Sequence, residues 1–118
     1  MKSKKLESKF QKEVISEIKA RLPDCIVLKN DPNYIQGIPD LTVLNGPRWA
    51  ALEVKRESDA SHRPNQDYYV DRMMDMSFAA FIFPENKDFV IGRMVNYLSK
   101  EDDDCVSMGG RLPAEETG

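Results

Sequence analysis

The chain has only two cysteines, Cys25 and Cys105. That is too few for a disulfide scaffold, and the two stand far from the paired spacing of a structural metal site. Long apolar runs are missing as well: none approaches the roughly 20 residues needed to cross a bilayer. The basic start Met1-Lys2-Ser3-Lys4-Lys5 leads into amphipathic, charge-rich sequence rather than an apolar core, so a secretory signal is not expected. There is no internal repeat. These absences predict a soluble protein of the cytoplasm with no membrane partner.

A chain of 118 residues is too short for two independent cores, and an apolar fraction of 41% is ordinary for a folded protein. One domain over residues 1–100 is expected, followed by an acidic, flexible tail over 101–118 that carries Glu101-Asp102-Asp103-Asp104 and Glu115-Glu116. The net charge of −3 argues at first against a nucleic-acid partner. Its distribution weakens that objection, because the acids gather late while most lysines and arginines precede Pro64. One face can be basic when the whole is not.

Leu6, Phe10, Val14, Ile18 and Leu22 recur every four residues, which predicts an amphipathic helix from about Lys4 to Arg21, stopped by Pro23. Cys25 to Leu28 reads as a strand and Asn30 to Pro39 as a loop. Leu41 to Leu44 and Arg48 to Arg56 read as an antiparallel pair joined at Asn45-Gly46-Pro47. Pro64 suits the first turn of a helix to Met76 that faces Tyr69, Val70, Met73 and Met74 inward. Phe78 to Phe83 reads as a central strand covered on both faces. Lys87 to Leu98 has helical spacing, although Phe89-Val90-Ile91-Gly92 is also compatible with a short strand. The order α-β-β-β-α-β-α predicts an α/β fold with a mixed sheet flanked by helices.

Side chains alternate along a strand, so Glu53 and Lys55 point the same way, with Trp49 and Ala51. Asp40 opens the preceding strand, and a hairpin of this length brings it near Glu53. Two carboxylates and an ammonium then converge. A hard cation such as Mg²⁺ takes oxygen ligands and keeps several waters, so two carboxylates and a backbone carbonyl suffice as protein ligands. Such an ion acidifies a bound water and stabilises charge on a phosphoryl oxygen, and a neighbouring lysine orients the attacking water or neutralises the transition state. Singly, Asp after Pro is a common turn and Glu-x-Lys a common solvated pair; their conjunction across one hairpin is what points to chemistry.

Pro39-Asp40, a spacer of a dozen residues and Glu53-Val54-Lys55 resemble the motif of the PD-(D/E)xK nuclease superfamily, whose restriction-endonuclease-like core follows the same αβββαβ order. Gly37-Ile38-Pro39-Asp40-Leu41, Glu53-Val54-Lys55 and Gln66 are similar to its VRR-NUC branch, common in phages, although the Val-Arg-Arg that names the branch is not evident. The likeness runs from about Glu7 to Leu98. It implies Asp40, Glu53 and the Val54 carbonyl as ligands of Mg²⁺ or Mn²⁺, Lys55 as the residue that positions water, and Gln66 as a partner of Lys55 or of the phosphate. Such families also carry an acid on the first helix. Glu7 points close to the apolar stripe and is the first choice, with Glu13 in reserve.

Lys29, Arg56 and Arg63 flank the expected centre and are candidates for DNA phosphate contacts. Tyr34 could stack on a base or pack its loop, and His62 beside Arg63 reads as a solvated loop residue, with a DNA contact as the alternative. Tyr68, Tyr69, Met73, Met74 and Met76 belong to core packing or, if exposed, mark a dimer surface. The expectation is a Mg²⁺- or Mn²⁺-dependent DNA endonuclease. Branched DNA, such as a Holliday junction, is the preferred substrate, and a homodimer would match its symmetry. A nicking or restriction-like nuclease of the same fold, and a nuclease-derived binding module without activity, are the alternatives.

Overall fold

The computed structural model describes residues 2–100; the expected acidic tail, 101–118, lies outside the described residues. Seven elements follow one another: α1 (Lys2–Arg21), β1 (Ile26–Lys29), β2 (Leu41–Asn45), β3 (Arg48–Val54), α2 (Pro64–Met76), β4 (Phe78–Ile82) and α3 (Lys87–Leu98). They form an α/β fold around a four-stranded mixed sheet in the order β1-β2-β3-β4. The first three strands run as an antiparallel meander, and β4 lies parallel to β3 because α2 carries the chain back across the sheet.

Alternation along β3 separates two cores. Ala50, Leu52 and Val54 point to one face and pack with Phe10, Val14 and Ile18 of α1 and Val90, Ile91, Met94 and Leu98 of α3. Ala51 points to the other, where it meets Ala79 of β4 and Val70 of α2. Ala51 and Ala79 are register partners, and two such small side chains let α2 settle close against the sheet. Leu52 and Ile91 are fully buried, so truncating either to alanine costs roughly 2–5 kcal/mol. The ambiguous segment at Phe89 is helical, because burial of Val90, Ile91, Met94 and Leu98 needs a helical spacing.

Three expectations are corrected. The segment at Phe78 forms an edge strand, not a central one; its apolar composition reflects α2 and α3 packed on its two faces. Leu6 is 56% exposed, because α1, about 30 Å long at 1.5 Å per residue, outruns the sheet it covers. On α2 only Val70 is buried, while Tyr68, Met74 and Met76 face outward. A single helix on this face of the sheet also leaves its β1–β2 half bare, with Ile26 57% and Leu28 44% exposed beside Leu44. Among the described residues, no helix is long and apolar enough to cross a membrane.

Candidate active site

The site grows from the β2–β3 hairpin. Asn45 pairs with Arg48, so only Gly46 and Pro47 lie between the paired strands, and Gly46 has the positive φ of 62° that so tight a reversal requires. From there the register runs to Leu41 opposite Leu52, which carries Asp40 to the level of Glu53. Asp40 Oδ2 accepts the Val54 N–H at 2.8 Å, extending the ladder with a side chain beyond its last backbone pair.

The loop before Asp40 is fixed from both sides. Asn30 donates its backbone N–H to the Asp40 carbonyl at 2.8 Å, and its side-chain amide reaches the Pro39 carbonyl at 2.9 Å and Thr42 Oγ1 at 2.8 Å. Gly37 adopts φ 90°, and any Cβ there would lie within 2.8 Å of Asn65 on α2. The Gly-Ile-Pro-Asp segment is therefore pressed against the start of α2, where only glycine fits. Asn30 was not among the sequence candidates; an amide at the end of a strand carries no distinguishing signal until its partner across the loop is known.

Glu53 and Lys55 are both buried, an unusual place for charged groups unless they are partnered. Gln66 joins them. Its Nε2 donates to Glu53 Oε2 at 3.0 Å, while its Oε1 accepts from Lys55 Nζ at 2.8 Å and from the Arg63 N–H at 3.1 Å. The last bond is half of a capping box, so the side chain that starts α2 also spans the acid and the lysine. Lys55 Nζ donates further to the Ser61 carbonyl at 3.1 Å and stands 3.7 Å from Glu53 Oε2.

Glu53 Oε1 is buried with no hydrogen-bond partner. Burial pushes the Glu53 carboxyl up to about 8, with further upward pressure from Asp40 and Glu7 and an opposing pull from Lys55. Burial also raises Asp40, against the Val54 N–H and Lys55, which favour its ionised form. Glu7 is raised by burial and then by Asp40, and is drawn down by Lys55 and Arg56. Glu7 thus feels the same charges as the hairpin acids. Glu13 is exposed on α1, and Glu17 pairs with Lys87 of α3 at 2.6 Å. The helix-one acid turned toward the centre is Glu7.

The expected phosphate contacts are distributed around this end of the sheet. Lys29 closes β1 opposite Leu41, Arg56 follows Lys55 and bonds Glu57 at 2.9 Å, and Arg63 caps α2. Lys9 and Lys87 join Arg56 and Glu13 in lining a groove of about 320 Å³ between α1 and the start of α3, with Lys87 paired to Glu17. Helical spacing places Lys9 on α1, but nothing in the sequence brings α1 beside Lys87. Tyr34 is 84% exposed, so it does not pack its loop. It borders a cleft of about 510 Å³ together with Asn30, Ile35, Ile38 and Met73. His62 is an exposed loop residue as expected, but its ring also stacks on Phe81 at 4.1 Å and its Nδ1 reaches Asp67 at 3.1 Å.

Among the described residues, no group of three or more His, Cys, Asp or Glu side chains is arranged to hold a metal. The candidate donors are two carboxylates, Asp40 and Glu53, whose oxygen chemistry suits a hard divalent cation that retains waters. The unpartnered Glu53 Oε1 fits such an ion, since a cation supplies what this buried oxygen lacks. The chain matches no family model, no curated protein and no solved structure.

Proposed function

We propose that the protein is a metal-dependent nuclease that hydrolyses DNA phosphodiesters, built on a restriction-endonuclease-like core of the PD-(D/E)xK kind. One observation carries this reading. The hairpin and α2 bring Glu53, Lys55 and Gln66 into one hydrogen-bonded group beside Asp40, which is held by the Val54 N–H, and leave Glu53 Oε1 buried and unsatisfied. A purely structural ion pair would close on itself; this one is left open at an oxygen.

Asp40, Glu53 and the Val54 carbonyl are the residues that would hold Mg²⁺ or Mn²⁺. When bound, such an ion acidifies a water ligand and withdraws charge from a phosphoryl oxygen. Lys55 orients the attacking water and offsets the growing negative charge, its ammonium held by Ser61 and Gln66 so that little reorganisation is needed. Gln66 keeps Lys55 and Glu53 at a fixed separation. Glu7 adds negative charge from α1, and Lys29, Arg56 and Arg63 steer the phosphate backbone. By analogy with similar nucleases, the cut leaves a 5′-phosphate.

An exposed Tyr34 beside the Asp40 loop offers a face on which an unpaired base can stack, which favours branched or junction DNA over uninterrupted duplex. Two copies joined through the bare β1–β2 face would present two centres to such a symmetric substrate.

Purified protein incubated with linear, flapped and four-way DNA tests the reading. Cleavage of branched forms with Mg²⁺ or Mn²⁺, abolished by chelator, is expected. Equal cutting of all three DNAs would favour a nicking or restriction-like enzyme. No cleavage and no Mn²⁺ binding by folded protein would leave a binding module.

A further inference from the structure

Three consecutive residues between β3 and α2 are each fastened by a different device, the outer two to the candidate centre and the middle one beside it. The Ser61 carbonyl accepts from Lys55 Nζ at 3.1 Å. The His62 ring lies nearly parallel to Phe81, 16° off plane at 4.1 Å, and donates from Nδ1 to the Asp67 carboxylate at 3.1 Å. The Arg63 N–H donates to Gln66 Oε1 at 3.1 Å. Phe81 is in turn the register partner of Glu53. His62 thus rests on the strand beside the acid while its two chain neighbours hold the lysine and the glutamine.

A long, flexible lysine loses much rotamer freedom when it is held in one geometry, so its acceptors must themselves be fixed. Gln66 is fixed by the helix it caps. The Ser61 carbonyl belongs to a loop and has no such support of its own; the adjacent His62 provides it. We propose that Ser61-His62-Arg63 is a clasp that sets the position of the Lys55 ammonium, with His62 as its positioning residue and Phe81 and Asp67 as its anchors. His62 acts through the backbone of Ser61 and touches no reacting atom. The consequence for catalysis rests on the nuclease reading above; the consequence for Lys55 does not.

The test reads Lys55 directly, by reductive methylation of lysines in the folded full-length protein followed by peptide mass spectrometry, with Lys29 as the internal reference. In the wild type Lys55 is expected to label far more slowly than Lys29. His62→Ala is expected to raise the Lys55 rate severalfold relative to Lys29, and His62→Phe, which keeps a ring on Phe81, to raise it less. Asp67→Asn, a change on the exposed side of α2, is a second route in case His62→Ala does not fold, with a smaller increase in the same direction. An unchanged Lys55 to Lys29 ratio in these variants overturns the clasp, whether or not the protein cleaves DNA. With cleavage in hand, His62→Ala is expected to lower kcat on the order of ten- to a hundredfold at unchanged KM. A wild-type kcat in that variant overturns it as well.

Discussion

Gln66 Nε2 donates to Glu53 Oε2 at 3.0 Å, so the first turn of α2 is tied to a buried acid whose carboxyl is pushed up to about 8. The same amide holds Lys55 and the Arg63 N–H through its oxygen. Replacing Gln66 with alanine strips a partner from three groups at once. Urea denaturation of Gln66→Ala should show a loss of roughly 1–3 kcal/mol. Cleavage should fall by on the order of tenfold or more, mainly in kcat, because Lys55 is no longer held where the water must be oriented.

Gly37 can be tested by a single methyl group. Its φ of 90° strains any L side chain, and a Cβ would come within 2.7 Å of Asn65. Gly37→Ala should destabilise the fold by on the order of 1–3 kcal/mol, measured as a lower denaturation midpoint. A stability equal to wild type would show that the Asp40 loop does not press on α2 as described.

Glu53 dictates the direction of a pH effect. Its carboxyl is raised from the ordinary 4.5 to about 8 in the folded protein, so the folded state holds this proton more tightly than the unfolded chain does. The stabilising contribution is complete below about 4.5 and is lost as pH climbs through about 8. Burial pushes Asp40 and Glu7 in the same direction. Metal-free protein should therefore lose thermal stability between about pH 5 and pH 8.5, and Glu53→Gln should flatten that slope. Mg²⁺ or Mn²⁺ should raise the melting temperature more at pH 8 than at pH 5, because only the ionised carboxylates bind it.

Much of this arrangement was legible in the sequence, for physical reasons. Val14 and Ile18 recur at the helical period because they cover the sheet, and Pro64 opens α2 because its missing N–H costs nothing there. Asp40 and Glu53 could be brought together on paper because the tight turn at Asn45-Gly46-Pro47 folds the two strands back on each other, although the structure shortens that turn to Gly46 and Pro47. The rest depends on contacts that period and spacing do not encode. His62 meets Phe81 only because β4 lies parallel and adjacent to β3, a matter of strand order. Tyr68, Met74 and Met76 share an apolar character with Val70 but not its place on α2, so composition alone misassigned them to the core. The edge position of β4 was hidden because helices cover both its faces, which makes an edge read as a centre.

The bare β1–β2 face makes a prediction about assembly. Light scattering after size exclusion should give twice the mass of one chain, and Ile26→Asp together with Leu28→Asp should return it to a monomer. Both side chains are exposed, so the double substitution should leave the fold intact by circular dichroism. A wild-type chain that is monomeric at tens of micromolar would remove the two-centre arrangement proposed for junctions, without touching the chemistry of either centre.

The most direct measurement of the central claim is cleavage of a four-way DNA junction in Mg²⁺ by the wild type, Asp40→Asn and Glu53→Gln, each first confirmed to be folded. The account predicts chelator-sensitive cutting by the wild type and a loss of at least about a hundredfold in each variant, since each removes a carboxylate that would carry the ion. Undiminished cutting by either variant would contradict it.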